Sequence, residues 1–160
     1  MPYVPSRSPL KMDGNFMSVS LQFALPMDED WPPIGSESLP FDKVGKGYRC
    51  LSVPLFVKDL SVGDVIEINK SSGIFIESWC HIERSNRSTL WLLRLSDNPP
   101  IQNCLVALRL LECNTTGLDE FGCYAVDIPE SVSIIDVDAI LDELDDDLVA
   151  IAFPSMRHPD

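Results

Sequence analysis

The sequence predicts an α+β fold in two parts, in which an N-terminal curved antiparallel sheet or partial barrel is joined to a C-terminal ferredoxin-like sandwich of the βαββαβ type. Residues 16–86 contain short alternating apolar runs separated by turn signals, which is typical of antiparallel strands. Residues 87–154 instead combine strand-like runs with two stretches of helical period. Residues 1–15 are expected to be disordered, and residues 155–160 to form a tail.

The N-terminal half begins with "FMSVSLQFALP", an alternating stretch that predicts a strand ending at Pro26. "MDEDWPPIGSESL" follows as a loop rich in acids and proline. "GKGYRCLSVPLFV" is strand-like, but Pro54 within it indicates a sheet edge, a bulge or a break. "VIEINK" and "IFIESWCHIER" then form a predicted hairpin that turns at "KSSG".

Strict alternation assigns the side chains of the second hairpin strand to two faces. The core face is expected to hold Ile74, Ile76, Ser78, Cys80 and Ile82. The opposite, mixed face is expected to hold Phe75, Glu77, Trp79, His81 and Glu83. Because the mixed face combines aromatic and charged groups, we expect it to be half-exposed or to line a shallow groove.

The C-terminal half opens with "TLWLLRL", a continuous apolar run that predicts a strand covered on both faces. The next segment predicts a helix, capped by Asp97 or Asn98 and with Pro99 and Pro100 in its first turn. Its apolar stripe consists of Ile101, Cys104, Leu105, Leu108 and Leu111.

The remaining segments complete the predicted sandwich. "TTGLDEFG" is expected to be a loop, "CYAVDIP" a strand and "LVAIAFP" the closing strand. Between the last two, "DVDAILDELDDD" predicts a second helix. Its apolar stripe consists of Val137, Ile140, Leu141, Leu144 and Leu148.

Charge is the most unusual property of the chain. The net charge is −13 over 160 residues, and residues 112–160 carry 13 acids and one base, for a net −12. This charge argues against nucleic acid or an anionic membrane as a partner. No apolar run approaches 18 residues and no secretory signal is visible, so a cytoplasmic protein is expected.

The acids of the second predicted helix favour a protein partner. Acids at the predicted helix end oppose the helix dipole, and no Lys or Arg lies within the helix to offset them. We therefore expect an acidic surface that covers a basic surface of another protein, formed by Asp142, Glu143, Asp145, Asp146 and Asp147. The alternative is that these acids only discourage aggregation of the neighbouring strand "LVAIAF".

A second acidic cluster lies beside a tryptophan. Asp28, Glu29, Asp30 and Trp31 could anchor the same partner, because a Trp often supplies much of the energy of an interface. An ordinary acidic turn would give the same sequence.

Catalysis and metal binding receive little support from the sequence. His81 is the one realistic catalytic histidine, because His158 lies in the predicted tail, and adjacent strand residues such as Cys80 and His81 point to opposite faces. No catalytic, cofactor or metal site is therefore predicted. The five cysteines include no CxxC pair and indicate reduced, mostly buried thiols. A small enzyme or ligand-binding module remains the alternative, with a groove formed by Glu77, Trp79, His81 and Glu83.

Four segments together resemble a known family: "MDEDWPPIGSESL", "YRCLSVPLFVKDLSVGDVIEI", "STLWLLRL" and "YAVDIPESV". Their order and spacing are similar to those of a bacterial family known only as domain of unknown function 4265, over roughly residues 18–153. The pattern at 48–66 is the most specific part, and "VDIP" at 126–129 supports it.

The resemblance carries no activity to transfer, but it implies a small cytoplasmic bacterial protein. Families of this kind often accompany toxins as immunity proteins, so the resemblance favours a cognate toxin as the basic partner. Arg87 stands where the family pattern leads us to expect a histidine, which argues against histidine chemistry at that position. A homo-oligomeric structural subunit is a third hypothesis, since the oligomeric state is not predicted.

Overall fold

We describe residues 18–96 and 101–159 of a computed structural model of the chain. The chain folds into two units. The first unit comprises five strands, β1 (Ser18–Ala24), β2 (Ser36–Val44), β3 (Gly47–Cys50), β4 (Val65–Ser72) and β5 (Phe75–Glu83). The second unit comprises β6 (Ser88–Arg94), α1 (Ile101–Leu110), β7 (Asn114–Leu118), β8 (Cys123–Ile128), α2 (Ile134–Leu141) and β9 (Val149–Ser155). The fold is therefore α+β.

The first five strands form a closed barrel in the order β1-β2-β3-β4-β5. Neighbouring strands are antiparallel, except that β1 and β5 close the barrel with a short parallel pairing at Gln22–Phe75 and Phe23–Ile76. The sequence predicts a curved antiparallel sheet or a partial barrel, and the structure corrects this to a closed barrel. Closure protects both edge strands, which would otherwise present unpaired backbone groups.

Two strand predictions in the barrel need correction. The sequence predicts a loop for the first part of "SESLPFDKV", but the whole segment forms β2, which pairs with β1 on one side and β3 on the other. Conversely, β3 ends at Cys50, and the predicted continuation through Pro54 is a long loop from 51 to 64. Pro54 has no N–H to donate to a ladder, so the break falls where proline predicts one.

The second sheet has the strand order β7-β8-β6-β9, and all neighbouring strands are antiparallel. The loop predicted for "TTGLDEFG" is wrong in its first part, because β7 pairs along its whole length with β8. Gly117 is required there, because a Cβ atom at this position would collide with the ring of Tyr124 on β8.

Helices α1 and α2 cover one face of the second sheet and bury both predicted apolar stripes in its core. Leu90 and Leu92 of β6 point into this core, whereas Leu93 packs against the core of the barrel. β6 is therefore covered on both faces, as its continuous apolar sequence predicts. The capping residues expected for α1, at positions 97–100, lie outside the described residues, as does the N-terminal segment 1–15.

Helix α2 is shorter than the sequence suggested. It ends at Leu141, with Asp142 as its C-cap, and does not extend to Asp147. The side chain of Asp145 accepts a hydrogen bond from the backbone N–H of Asp147 at 2.9 Å, and its carbonyl accepts those of Leu148 and Val149. This local turn replaces further helical hydrogen bonds and directs the chain into β9.

The prediction that His158 lies in a tail is wrong. Its ring is buried, with Nδ1 2.6 Å from the Ser88 hydroxyl and Nε2 2.8 Å from the carbonyl of Pro129. The Ser88 hydroxyl also accepts the backbone N–H groups of Arg157 and His158. The chain after β9 is thus bound to the start of β6.

Replacing Leu90 by Ala should lower the free energy of unfolding by about 2–5 kcal/mol, because the side chain is fully buried and its loss leaves a cavity. Leu110→Ala is the matched control: this leucine is 80% exposed, so we expect a change within about 0.5 kcal/mol. Urea unfolding of both variants measures the difference. Equal effects would show that the described core is misplaced.

Candidate functional site

The barrel and the second sheet meet along a cleft of about 630 Å³. Its walls come from β1 and β5 of the barrel, from the loop after β3, and from the face of the second sheet that the helices leave uncovered. The lining is mainly apolar. Most lining residues belong to segments far apart in the sequence, so the cleft depends on how the two units pack.

All three tryptophans of the chain line this cleft. Trp31 packs edge-on against Phe56, with ring centroids 6.0 Å apart, and Trp79 packs edge-on against Phe23 at 6.4 Å. The indole N–H of Trp91 donates to the carbonyl of Pro54 at 2.8 Å, which fixes that ring beside the loop. Three large aromatic surfaces therefore face one space.

Alanines keep the floor of the cleft open. Ala150 and Ala152 on β9 point towards the barrel, whereas Val149 is buried and Ile151 packs partly against the helical core. Larger side chains at the alanine positions would occupy the cleft. The alternation of small and large residues in "VAIAF" is thus what leaves room between the sheet and the barrel.

A buried carboxylate holds the loop that forms one wall. Glu37 on β2 accepts the backbone N–H of Leu55 at 2.6 Å, of Phe56 at 2.9 Å and of Val57 at 3.1 Å. Burial raises the pKa of Glu37, and these three hydrogen bonds oppose that increase. Glu37 thereby fixes the backbone of the loop, and with it the positions of the Leu55 and Phe56 side chains in the wall of the cleft.

Charged groups lie among the lining residues as well. Asp28 and Glu77 are acidic and Lys58 is basic. Glu77 also pairs with Lys70 on β4, with Nζ and Oε1 3.3 Å apart and both side chains well exposed. The cleft is an apolar aromatic space with charges around it.

The predicted groove on β5 is only partly correct. Trp79 and Glu77 line the cleft, but the expected assignment of faces along β5 is wrong, because Cys80 and Ile82 are exposed and Trp79 packs against the barrel core. Ile68 pairs with Trp79, whereas Ser71 pairs with Ile76, so irregularities in the β4–β5 ladder shift the alternation between these pairs. Glu83 ends β5 as an exposed residue outside the cleft lining.

His81 is directed away from the cleft lining, towards a buried carboxylate. Its Nε2 donates to Asp64 at 2.9 Å, and its ring packs edge-on against Trp79 with centroids 5.1 Å apart. The side chain of Asp64 is fully buried. His81 therefore supports the ring of Trp79 from behind instead of facing the cleft.

Within the described part of the chain, Asp64 accepts five hydrogen bonds. Besides His81, they come from the backbone N–H groups of Ser61 and Ser85 and from both terminal nitrogens of Arg157, at 2.8–3.0 Å. Burial alone would raise the pKa of Asp64; the hydrogen bonds, that of Arg157 first, outweigh it and hold the pKa below its usual range. This cluster joins the 51–64 loop, β5 and the chain after β9.

The turn at Asp28–Trp31 brings the second predicted cluster to the edge of the cleft. The backbone groups of Asp28 and Trp31 bond to each other in both directions, and Glu29 and Asp30 occupy the two left-handed central positions. Asp28 and Trp31 line the cleft, whereas Glu29 and Asp30 are exposed at the tip of the turn.

The acids after α2 lie apart from the cleft. They surround a shallow depression next to β9, with Asp138, Asp142, Asp145, Asp146 and Asp147 among its lining residues. Glu143 is exposed nearby but does not line it. Because α2 ends at Leu141, Asp145 to Asp147 do not lie in its last turn, and the expected conflict with the helix dipole does not apply to them.

The cysteines offer no activated nucleophile in the cleft. Cys50, Cys104, Cys113 and Cys123 are buried and Cys80 is exposed, and all five are free thiols. Cys123 lines the cleft, but burial raises its pKa, so the thiol stays protonated at neutral pH. Within residues 18–96 and 101–159, no three His, Cys, Asp or Glu side chains are grouped to hold a metal ion.

Sequence reasoning missed several cleft residues. For Trp91 the sequence predicts only a covered strand, and for Ala150 and Ala152 only a closing strand. The alternating alanines of "LVAIAF" were the available signal, since small residues on one face of an apolar strand indicate a close approach or an open space. Neither helix in the described part of the chain has the length and hydropathy needed to cross a bilayer.

Fold and site together define a small α+β protein with an aromatic cleft between a barrel and a second sheet. Residues 37–151 match the family described as Domain of unknown function (DUF4265). The chain belongs to this family, which confirms the resemblance found in the sequence. The match includes β2 to β8, α1, α2 and the start of β9.

The fold also occurs in a solved structure. A hypothetical protein from Neisseria gonorrhoeae is similar over 88% of this chain and 95% of that chain, with a TM-score of 0.65 and 16% sequence identity. At this identity the likeness concerns the fold alone. None of the curated proteins matches the chain significantly.

Asp64→Asn should lower the free energy of unfolding by about 3–5 kcal/mol at neutral pH, because it removes the buried charge partner of the Arg157 guanidinium and leaves only the exposed Asp59, 3.7 Å away. Asp59→Asn is the matched control. Its carboxylate also pairs with Arg157, at 3.7 Å, but it is 56% exposed, so the loss should stay below about 1 kcal/mol. Urea unfolding measures both, and equal losses would contradict the role of Asp64.

The same cluster predicts a pH dependence. The pKa of Asp64 is lowered by folding, so the unfolded chain binds this proton more readily. Its contribution is therefore present above the pKa of an unfolded Asp, about 4, and is lost as the pH falls through the folded pKa. Unfolding curves between about pH 3 and 6 should show a shallower pH dependence in Asp64→Asn than in the wild type. Parallel pH profiles would contradict the assignment.

Proposed function

We propose that the protein is a non-enzymatic binding protein that holds a small, largely apolar organic molecule in the tryptophan-lined cleft. The observation that carries this proposal is the convergence of Trp31, Trp79 and Trp91 on one space of about 630 Å³. Ligand sites in proteins commonly have volumes of 300–1,000 Å³ and mostly apolar and aromatic walls with a few polar groups.

The walls of the cleft are held in place by hydrogen bonds, which supports a preformed ligand site rather than a loosely packed contact between the two units. Its loop wall is fixed by Glu37, and Trp91 is fixed by its bond to Pro54. Such prior fixation reduces the conformational entropy that the protein would lose on binding a ligand. Trp31 is 45% exposed, so its ring is available to an incoming molecule.

The groups around the cleft favour binding without catalysis. Acid–base catalysis needs a group within hydrogen-bond reach of the substrate, and the nearby His81 is engaged with Asp64. The Cys123 thiol is protonated. We therefore retain the hypothesis that the protein is not an enzyme. Of the two kinds of binding protein considered, we favour the ligand-binding module over the protein-binding one.

The proposal is tested with the neutral fluorescent probe N-phenyl-1-naphthylamine, which accepts energy from excited tryptophan. We expect energy transfer from the protein to rise to saturation as the dye is added. Ala152→Phe should weaken dye binding by about tenfold or more, because the ring occupies the space that the dye needs.

Ala139→Phe is the control, since Ala139 is exposed on α2 away from the cleft lining. This variant should bind the dye as the wild type does, and circular dichroism should show that both variants remain folded. Absence of dye binding, or equal binding by the Ala152→Phe and Ala139→Phe variants, would exclude the cleft as the site.

The acidic surface supports a second candidate, an immunity protein that covers a basic surface of a cognate toxin. Asp142, Asp145, Asp146 and Asp147 lie together around the depression beside β9 and, within the described residues, form no ion pair. Such an unneutralised surface would accelerate association with a basic protein. Glu29 and Asp30 lie on a separate turn at the edge of the cleft.

Charge reversal tests this second candidate. Asp145, Asp146 and Asp147 are changed together to Lys, and proteins retained from a bacterial lysate at low salt are identified by mass spectrometry. We expect a basic partner to be retained by the wild type and lost by the variant. The control reverses the exposed Glu67, Glu120 and Glu130, which alters the net charge equally and should keep the partner. Equal retention by both variants would show that the acids after α2 are not the binding surface.

Two finer assignments are also proposed. We infer a ferredoxin-like topology for the second unit, supported by its βαββαβ order and the strand order β7-β8-β6-β9 with antiparallel neighbours. We infer a cytoplasmic location, supported by five cysteines that are all free thiols.

A further inference from the structure

The charges and rings of the cleft restrict the chemistry of its ligand. Two carboxylates, Asp28 and Glu77, lie among the lining residues. Lys58 is the one cationic residue in the lining, within the described part of the chain. Glu29 and Asp30 extend the negative charge from the turn beside Trp31. Lys70 on β4 pairs with Glu77. Counting both lysines, the mouth of the cleft still has two more acids than bases, in a chain whose net charge is −13.

We infer that the ligand of the cleft carries a quaternary ammonium group, an inference that rests on the proposed ligand-binding function. A cation over the face of an aromatic ring is attracted by the negative charge of the ring face, and tryptophan gives the strongest attraction. Quaternary ammonium has no N–H to donate, so it needs no precisely placed acceptor. This suits a space lined mainly by rings and aliphatic side chains.

The packing of the rings leaves aromatic faces available. Trp31 and Phe56 meet with an interplanar angle of 69°, and Phe23 and Trp79 with one of 83°. Trp79 meets His81 in the same manner, at 75°. A stacked pair covers one face of both rings, whereas in an edge-to-face pair the ring that contributes its edge keeps both faces free of its partner. The cleft can therefore present ring faces to a cation while neighbouring edges hold the rings in place.

The test compares choline with 3,3-dimethylbutan-1-ol, in which an uncharged carbon replaces the quaternary nitrogen at almost constant shape. Because all three tryptophans line the cleft, their fluorescence reports its occupancy directly, and calorimetry supplies an independent affinity. We expect choline to bind about tenfold more tightly than the alcohol or better. The double variant Asp28→Asn/Glu77→Gln should lose most of this preference.

Asp142→Asn/Glu143→Gln is the matched control, because it removes the same charge outside the cleft lining and should keep the preference for choline. Equal binding of choline and the alcohol by the wild type, or an undiminished preference in the Asp28/Glu77 variant, would overturn the inference. If N-phenyl-1-naphthylamine still binds in the cleft, only the charge of the ligand has been misjudged. If the dye, choline and the alcohol all fail to bind, the proposed function fails as well.

Discussion

The buried carboxylate of Asp64 is the interaction on which the arrangement of the two units depends. An ionised carboxylate without water is strongly unfavourable unless donors surround it, and Asp64 obtains five hydrogen bonds from four segments of the chain. One donor, Arg157, follows β9 of the second sheet, and another, His81, lies on the barrel. The hydrogen bonds to Asp64 therefore connect the barrel to the second sheet, and these are the two units that form the walls of the cleft.

The motif that carried the family resemblance folds into this junction. Within residues 48–66, Asp64 forms the cluster, and the Ser61 hydroxyl bonds to those of Thr89 and Ser155. Pro54 accepts the indole N–H of Trp91, and Phe56 packs against Trp31. The most specific sequence pattern is thus explained by the need to hold the 51–64 loop between the barrel and the second sheet, with its apolar side chains facing the cleft.

The fold was predictable where a periodic pattern had one interpretation, as for α1, β6 and the buried stripe of α2. It was not predictable where a local interaction interrupted the period. The side chain of Asp145 redirects the backbone after α2, and the irregular β4–β5 pairing changes the face that Trp79 occupies. At the site, Trp31 and Trp79 could be proposed because an aromatic residue beside acids attracts notice. Trp91 could not, because only the packing of two distant units brings it to the same space.

The open cleft is best understood as a feature retained despite its effect on stability. Larger side chains at Ala150 and Ala152 would fill the space between β9 and the barrel and bury more apolar surface, which generally stabilises a fold. Trp31 likewise remains 45% exposed, although a tryptophan contributes most to stability when it is fully covered. Two departures from ordinary core packing thus occur at the same place: small residues that leave a space unfilled, and aromatic rings that stay exposed above it. Such a local departure is expected where a second molecule completes the packing.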